Sequence, residues 1–341
     1  MITTFGEIML RITPNDSGER ILQTNNFRIE PGGSESNVAI ALANLGHETQ
    51  LATKLPDNEL TQKIQHYLNT HKVKPVFALG GDRAGMYWTE TGIGPRNSFV
   101  IYDRDYSAFS QATYEDFDWK TILQNSQWFH FSGISPALSE TVYNFLKQVV
   151  DECTCPYSVD LNYRKKLWNW LDKDVSKINE VMTKLCHKAT LIAGNEADFT
   201  DIFGIQSDEK DVDEKYQQIA EKAFNKFPNA KFISISHRQS ISATKNDWSG
   251  YLFVHPEGKV NQFKGLSYSI DHIIDRVGTG DSFVAGIIHG ILSFEKDYQK
   301  TVNFATTLAA LNHTTKGDAS TFNVEDVMKT IQSNGSGRIV R

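Results

Sequence analysis

Residues Asp275 to Phe283 read Asp-Arg-Val-Gly-Thr-Gly-Asp-Ser-Phe and lead into the apolar run Val284 to Ile288. Gly278 and Gly280 flank Thr279, and glycine backbones can turn successive N–H groups into one concavity. A helix start adds partial positive charge, which makes Gly278-Thr279-Gly280 an expected anion site for a phosphoryl group. Asp281 stands at the mouth of that helix, where it can take the proton of an attacking hydroxyl. The turn would meanwhile stabilise charge growing on the transferred phosphate. A plain helix cap fits the local pattern equally well, since aspartate is a common capping residue. No Lys-Ser/Thr follows the glycines, so this is not a P-loop, and it opens no early βαβ unit as a dinucleotide fingerprint would.

A second constellation, Pro31 to Ala39, ends at Leu45-Gly46. Gly32 and Gly33 before a helix permit close approach of backbone to ligand, and Asn37 offers a donor and an acceptor.

The elements that must hold these residues follow from pattern. Thr4 to Thr13 reads as one buried strand ending at Pro14-Asn15-Asp16. Helices are expected from Gly33 to Gly46 and from Asn58 to Lys72, with a strand at Gln50–Leu55 between them. Short β-type pieces follow at Val73–Leu79, Met86–Thr91 and Ser98–Tyr102, which suggests a separate small sheet over about 14–31 and 73–108. A cover over a site and a decorative edge sheet fit this insertion equally. Strands at Trp128–Ser132, Tyr157–Asp160, Thr190–Ala193 and Lys231–Ser236 each precede a helical pattern. The expected fold class is α/β, a doubly wound and mostly parallel sheet flanked by helices, with ligands at the carboxyl ends of its strands. The segment from Ser240 to Ile274 is β-rich, and helices are expected from near Gly280, at Lys300–Thr315 and at Val324–Gln332. One domain would span 1–332, and 333–341 reads as a frayed tail.

Composition narrows the classes. Of 341 residues, 40% are hydrophobic and 22% charged, ordinary globular usage. A net charge of -6 argues against nucleic-acid partners, which need a basic field. No apolar run approaches the ~20 residues of a bilayer span, so no membrane partner is expected. The N-terminus reads as a first strand and not as a signal peptide. The cysteines are Cys153, Cys155 and Cys186, an odd number, which points to reduced structural thiols in a cytoplasmic protein. His237 and His313 lack partners at metal-ligand spacing, and Trp168, Trp170 and Trp248 read as packing residues.

The two glycine motifs together resemble those of the ribokinase-like (PfkB) carbohydrate kinases, with Gly-Gly…Asn…Ala…Leu-Gly near the start and Gly-x-Gly-Asp near the end. The resemblance spans nearly the whole chain. It implies that Asp281 is the base, that Gly278, Thr279 and Gly280 form the anion hole, and that ATP with Mg2+ donates the phosphate. Within the family the chain is most similar to 2-keto-3-deoxygluconate kinases, in Thr53–Asn58, Val100–Ala108, Phe131–Leu138 and Val159–Arg164. That resemblance implies a sugar acid as substrate, phosphorylated on its terminal (6-) hydroxyl. Tyr87, Tyr102, Arg104 and Arg164 would surround it, with Gly33, Asn37 and Asp318 also in contact. A guanidinium grips a carboxylate in bidentate fashion, a use for two arginines that a neutral ketose would lack; the alternative for either is a surface ion pair. Asn162, Asn195, Ser236, Arg238 and Asn312 are the implied nucleotide contacts, with Asn312 and Asp318 equally readable as cap or turn residues.

The chain also departs from the family. Asn195-Glu196-Ala197-Asp198 replaces the usual Asn-x-x-Glu near the magnesium, so Glu196 or Asp198 would have to serve. Ser234 to Ser240 stands where many relatives have a Gly-x-x-Gly nucleotide turn. A kinase of fructose or tagatose and a non-catalytic sugar-acid sensor are the alternative readings. Pairing of the small sheets is expected to make a homo-oligomer.

Overall fold

The computed structural model describes residues 1–16, 18–256 and 258–333. Its strands are β1 (Ile2–Phe5), β2 (Met9–Pro14), β3 (Phe27–Gly32), β4 (Thr49–Leu55), β5 (Val73–Leu79), β6 (Met86–Glu90) and β7 (Phe99–Asp103), then β8 (Trp128–Ser132), β9 (Tyr157–Asp160), β10 (Leu191–Asn195), β11 (Phe232–Ser242), β12 (Lys245–Val254), β13 (Asn261–Lys264) and β14 (Tyr268–Ile270). The helices are α1 (Ser34–Asn44), α2 (Glu59–Thr70), α3 (Trp119–Gln124), α4 (Ile134–Leu138), α5 (Glu140–Glu152), α6 (Val175–Cys186), α7 (Glu196–Phe203), α8 (Val212–Lys226), α9 (Thr279–Ser293), α10 (Tyr298–Asn312) and α11 (Val324–Gln332).

The large sheet has the order β13-β12-β11-β10-β9-β8-β1-β4-β5, with β14 also on β12. From β5 to β11 every pairing is parallel, and β12 to β14 add an antiparallel edge. Parallel strands need cover on both faces. Accordingly β1, β8 and β9 are buried at every residue. Alternation splits the core in two. Leu191 and Ala193 pack with Val38, Phe283 and Ala305 from α1, α9 and α10. Ile192, between them, joins Val149, Ile178 and Ile219 from α5, α6 and α8. The result is a three-layer α/β/α body, the expected fold class.

A separate four-stranded sheet has the order β3-β2-β6-β7. Two expectations need correction here. Thr4–Thr13 is two strands in two sheets: β1 stays in the large sheet, and the chain crosses at Gly6-Glu7-Ile8 to pair β2 with β3 and β6. The crossing is tight, because a Cβ on Gly6 would sit 2.1 Å from the Glu35 carboxylate. Val73–Leu79, assigned to the small sheet from its β-type run, instead pairs in parallel with β4 along its whole length. A third difference concerns the segment His237–Ser240, just past the expected strand Lys231–Ser236 and placed where many relatives have a turn. It continues β11 in antiparallel register with β12, from Ser236 opposite Gly250 to Ser240 opposite Asn246. Of the expected tail, residues 334–341 lie outside the described residues.

Most helices open on a side chain that accepts their first N–H groups, as Asn58, Ser139, Asp174 and Asp211 do. Helices α1 and α9 open instead on Gly33 and Gly278 with no capping side chain, as the short α4 does on Gly133. The starts of α1 and α9 face the same cavity.

Candidate active site

A cavity of about 1020 Å³ lies between the carboxyl ends of β9 and β10, the starts of α1 and α9, and the small sheet. Asp281 is the third residue of α9 and is 7% exposed. Its carboxylate accepts hydrogen bonds from Ser34 Oγ at 2.7 Å and Asn37 Nδ2 at 2.7 Å, both on α1. It makes no capping bond to its own helix, so the cap reading of Asp281 falls away. Burial pushes the Asp281 carboxyl up to about 6, against the pull of Asn37 and Ser34; Asp318 raises it further and Arg164 lowers it. A group titrating near neutrality is suited to accept a proton from an alcohol.

The turn before Asp281 is held from behind. Gly278 has φ 78° in the left-handed region, and a Cβ there would fall 1.7 Å from the Asp318 carbonyl oxygen. Asn312 is fully buried and donates from Nδ2 to the carbonyls of Val277 at 3.3 Å and Asp318 at 3.4 Å. It does not line the cavity, and its bonds brace the turn from behind. Gly280 does line the cavity, and a Cβ added to it would meet no atom within 4 Å. The first N–H groups of any helix lack intrahelical partners, so this uncapped start aims donors into open space.

Arg11, on β2, joins the small sheet to this turn. It is 2% exposed and pairs with Asp275 at 2.6 Å and with Asp318. Asp275 also accepts the Val277 N–H at 3.1 Å, and the Tyr87 phenol donates to Asp318. Burial opposes the charge on Arg11, but Asp318 and Asp275 outweigh it and hold the guanidinium above its ordinary value. Asp318, expected as a substrate contact, lines the cavity with its carboxylate already engaged by Arg11 and Tyr87.

The expected carboxylate grip is rearranged. Arg104 is 4% exposed and donates from Nε to Glu7 Oε2 at 2.8 Å, so its charge is met inside the protein. Arg164 is exposed on the cavity wall and donates from Nη1 to the Tyr163 carbonyl at 3.1 Å. Tyr102 is 44% exposed and lies with its ring 6.1 Å from that of Tyr87. Asn37 Oδ1 is buried without a partner among the described residues, an acceptor waiting beside Asp281. Gly33 lines the same wall, 2.2 Å from Glu7 backbone oxygen at its Cβ position.

Farther along, Asn162 donates to Ser34 Oγ at 3.2 Å, and Ser236 and Arg238 line the cavity. Arg276 donates to the carbonyls of Ser242 at 3.1 Å and Ala243 at 2.5 Å. Burial and then Arg164 lower Arg238, while burial and then Arg238 lower Arg276, so the three guanidinia form one repelling group. Asn195 and Asp198 cap α7 reciprocally, at 3.1 and 2.9 Å, and Asp198 also accepts the Tyr163 N–H at 3.1 Å. Each Asp198 oxygen thus accepts one backbone N–H, and Glu196 pairs with Lys215 at 3.4 Å. Among the described residues no cluster of three or more His, Cys, Asp or Glu could hold a metal ion. Ser34, Glu7 and Arg11 went unnoticed in sequence; only the position of Ser34 inside the Gly-Gly motif could have flagged it.

Known proteins resemble this chain along nearly its whole length. A structure of 2-dehydro-3-deoxygluconokinase from Thermotoga maritima superposes with a TM-score of 0.90 at 40% identity, covering 97% of this chain and 99% of that one. A putative 2-keto-3-deoxygluconate kinase from Enterococcus faecalis gives 0.88 at 26% identity, covering 100% and 98%. The 2-dehydro-3-deoxygalactonokinase of Haloferax volcanii is 27% identical over 98% of both chains. The model of the pfkB family carbohydrate kinases matches residues 1–325. This chain, with an aspartate at an uncapped helix start beside a cavity between two sheets, belongs to the pfkB family of carbohydrate kinases.

Proposed function

We propose that the chain transfers the γ-phosphate of ATP to the terminal (6-) hydroxyl of 2-keto-3-deoxygluconate. The observation that carries this reading is Asp281, buried, raised to about 6 and aimed at the cavity by Ser34 and Asn37. The acceptor hydroxyl binds against Asp281, which takes its proton as the oxygen attacks phosphorus. The N–H groups at the start of α9 receive the transferred phosphoryl group, and the open space at Gly280 admits it. Asn37 Oδ1, Gly33 and Tyr102 hold the sugar, while Arg164 takes its carboxylate as a charged, planar donor. Arg104 and Tyr87 shape that end through Glu7 and Asp318.

Arg238 and Arg276, cations beside the turn without carboxylate partners among the described residues, suit the phosphates of ATP. Asn162, Asn195 and Ser236 lie along the same stretch of wall. Magnesium fits as an ion carried on those phosphates, since it keeps most of its waters and needs only one or two carboxylates. Glu196 and Asp198 are the carboxylates here that could approach it, and the ion would neutralise phosphate charge. We place the reaction in the cytoplasm, where ATP is available.

A second reading, phosphorylation of a neutral ketose, draws on Arg104 being already paired with Glu7. The names of the relatives leave the gluconate and galactonate epimers both in play. A coupled assay with ATP and a panel of both keto-deoxy acids, fructose and tagatose tests the assignment. Turnover of a ketose above either acid would overturn it. We also propose that two chains pair through β7, where Phe99, Val100, Ile101 and Tyr102 are all more than a third exposed; sedimentation as a monomer would exclude this.

A further inference from the structure

Cys153 closes α5, and Cys155 follows two residues later, just before Pro156 and β9. Their Sγ atoms lie 3.5 Å apart. Both thiols are partly exposed, whereas Cys186 is buried. The backbone at Cys153 is extended (φ -65°, ψ 121°), and in extended chain residues two apart project to the same side. Cys153 Sγ also approaches the Cys155 carbonyl at 3.4 Å. Neither cysteine lines the cavity, and both stand at the opposite end of β9 from Asp160.

Two thiols this close share a proton. The hydrogen bond from Cys153 holds Cys155 below the ordinary thiol range, and the same bond with burial pushes Cys153 above it. A thiolate attacks a disulfide, and a neighbouring thiol then resolves the mixed disulfide. We propose that Cys153 and Cys155 form a reversible dithiol–disulfide site that exchanges with small disulfides such as oxidised glutathione. Cys155 thiolate attacks one glutathione sulfur and expels a glutathione thiolate, forming a mixed disulfide. Cys153 then loses its proton and attacks the Cys155 sulfur, expelling the second glutathione. Two protein thiols are oxidised, and one oxidised glutathione is reduced to two thiols.

The test uses the full chain, incubated with excess oxidised glutathione, denatured, treated with N-ethylmaleimide and weighed intact. Of the three cysteines, all should be alkylated before oxidation and only Cys186 after it, with no glutathione retained. Dithiothreitol should restore all three. Cys153→Ser should instead keep one glutathione on Cys155, because the resolving thiol is gone. Undiminished alkylation, stable glutathione adducts on the wild-type chain, or disulfide-linked dimers as the main product would each overturn the proposal.

Discussion

Asn37 donates from Nδ2 to Asp281 Oδ2 across 2.7 Å, joining residues 244 positions apart in the chain. The contact places the candidate base by a helix other than its own, and it makes the start of α1 part of the candidate site.

Asp281→Asn is therefore expected to lower kcat by about 10²- to 10⁴-fold, the contribution typical of a positioned base. Calorimetric affinity for the keto-deoxy acid should stay near the wild-type value. Retained turnover would remove Asp281 from the mechanism.

Activity should follow the ionisation of the same group. With Asp281 raised to about 6, kcat/KM is expected to fall as pH drops through that value, because the base must be unprotonated. A profile flat to about pH 5 in steady-state assays would contradict this.

Stability should show the reverse side of the shift. The folded carboxyl holds its proton up to about 6, whereas an unfolded aspartate releases it near the ordinary 3.8. The folded state thus binds more protons in that window, and stability falls as pH rises through it. Asp281→Asn has no such penalty, so thermal melts near neutral pH should find it more stable by up to about 3 kcal/mol. The advantage should shrink toward about pH 4; a gap independent of pH would count against burial as the cause.

Gly280 and Gly278 separate ligand space from fold. Gly280→Ala should melt within about 0.5 kcal/mol of wild type yet lose transfer, since its Cβ meets open cavity. Gly278→Ala should destabilise, because φ 78° is strained for alanine and the Asp318 carbonyl fills the space. Comparable melting curves for the two variants would refute this division.

The arginines divide similarly. Arg164→Ala should raise KM for the acid by roughly 10- to 150-fold, the loss of a charged hydrogen bond of about 1.5–3 kcal/mol, with little change in urea midpoint. Arg11→Met should cost about 3–5 kcal/mol in urea unfolding, because Asp275 and Asp318 are left buried without their cation.

The glycine turn and its aspartate stood out in the sequence because their spacing is local. Asp281, Asn37 and Gly33 line one cavity, and the βα alternation marked the layered sheet. What escaped was pairing at long range. Val73–Leu79 carries the same β-type residues whichever sheet it joins, and only the register with β4 decides. Likewise nothing near Arg104 announces that Glu7, on the crossing between sheets, takes its charge. Arg11 reads as one polar residue in an apolar strand, and its role depends on two aspartates more than 260 residues away.

Strand β1 pairs with β4 on one side and β8 on the other. The earliest strand described here is therefore a central one, and it keeps one bare edge until residues 128–132 have been made. The candidate turn at Gly278–Asp281 arrives later still. A growing chain therefore carries the strands of the sheet before it carries that turn. In refolding experiments, return of phosphotransfer should lag behind recovery of tryptophan fluorescence from Trp119, Trp128 and Trp168 in the core. Simultaneous return of the two signals would show that the sheet and its site fold as one step.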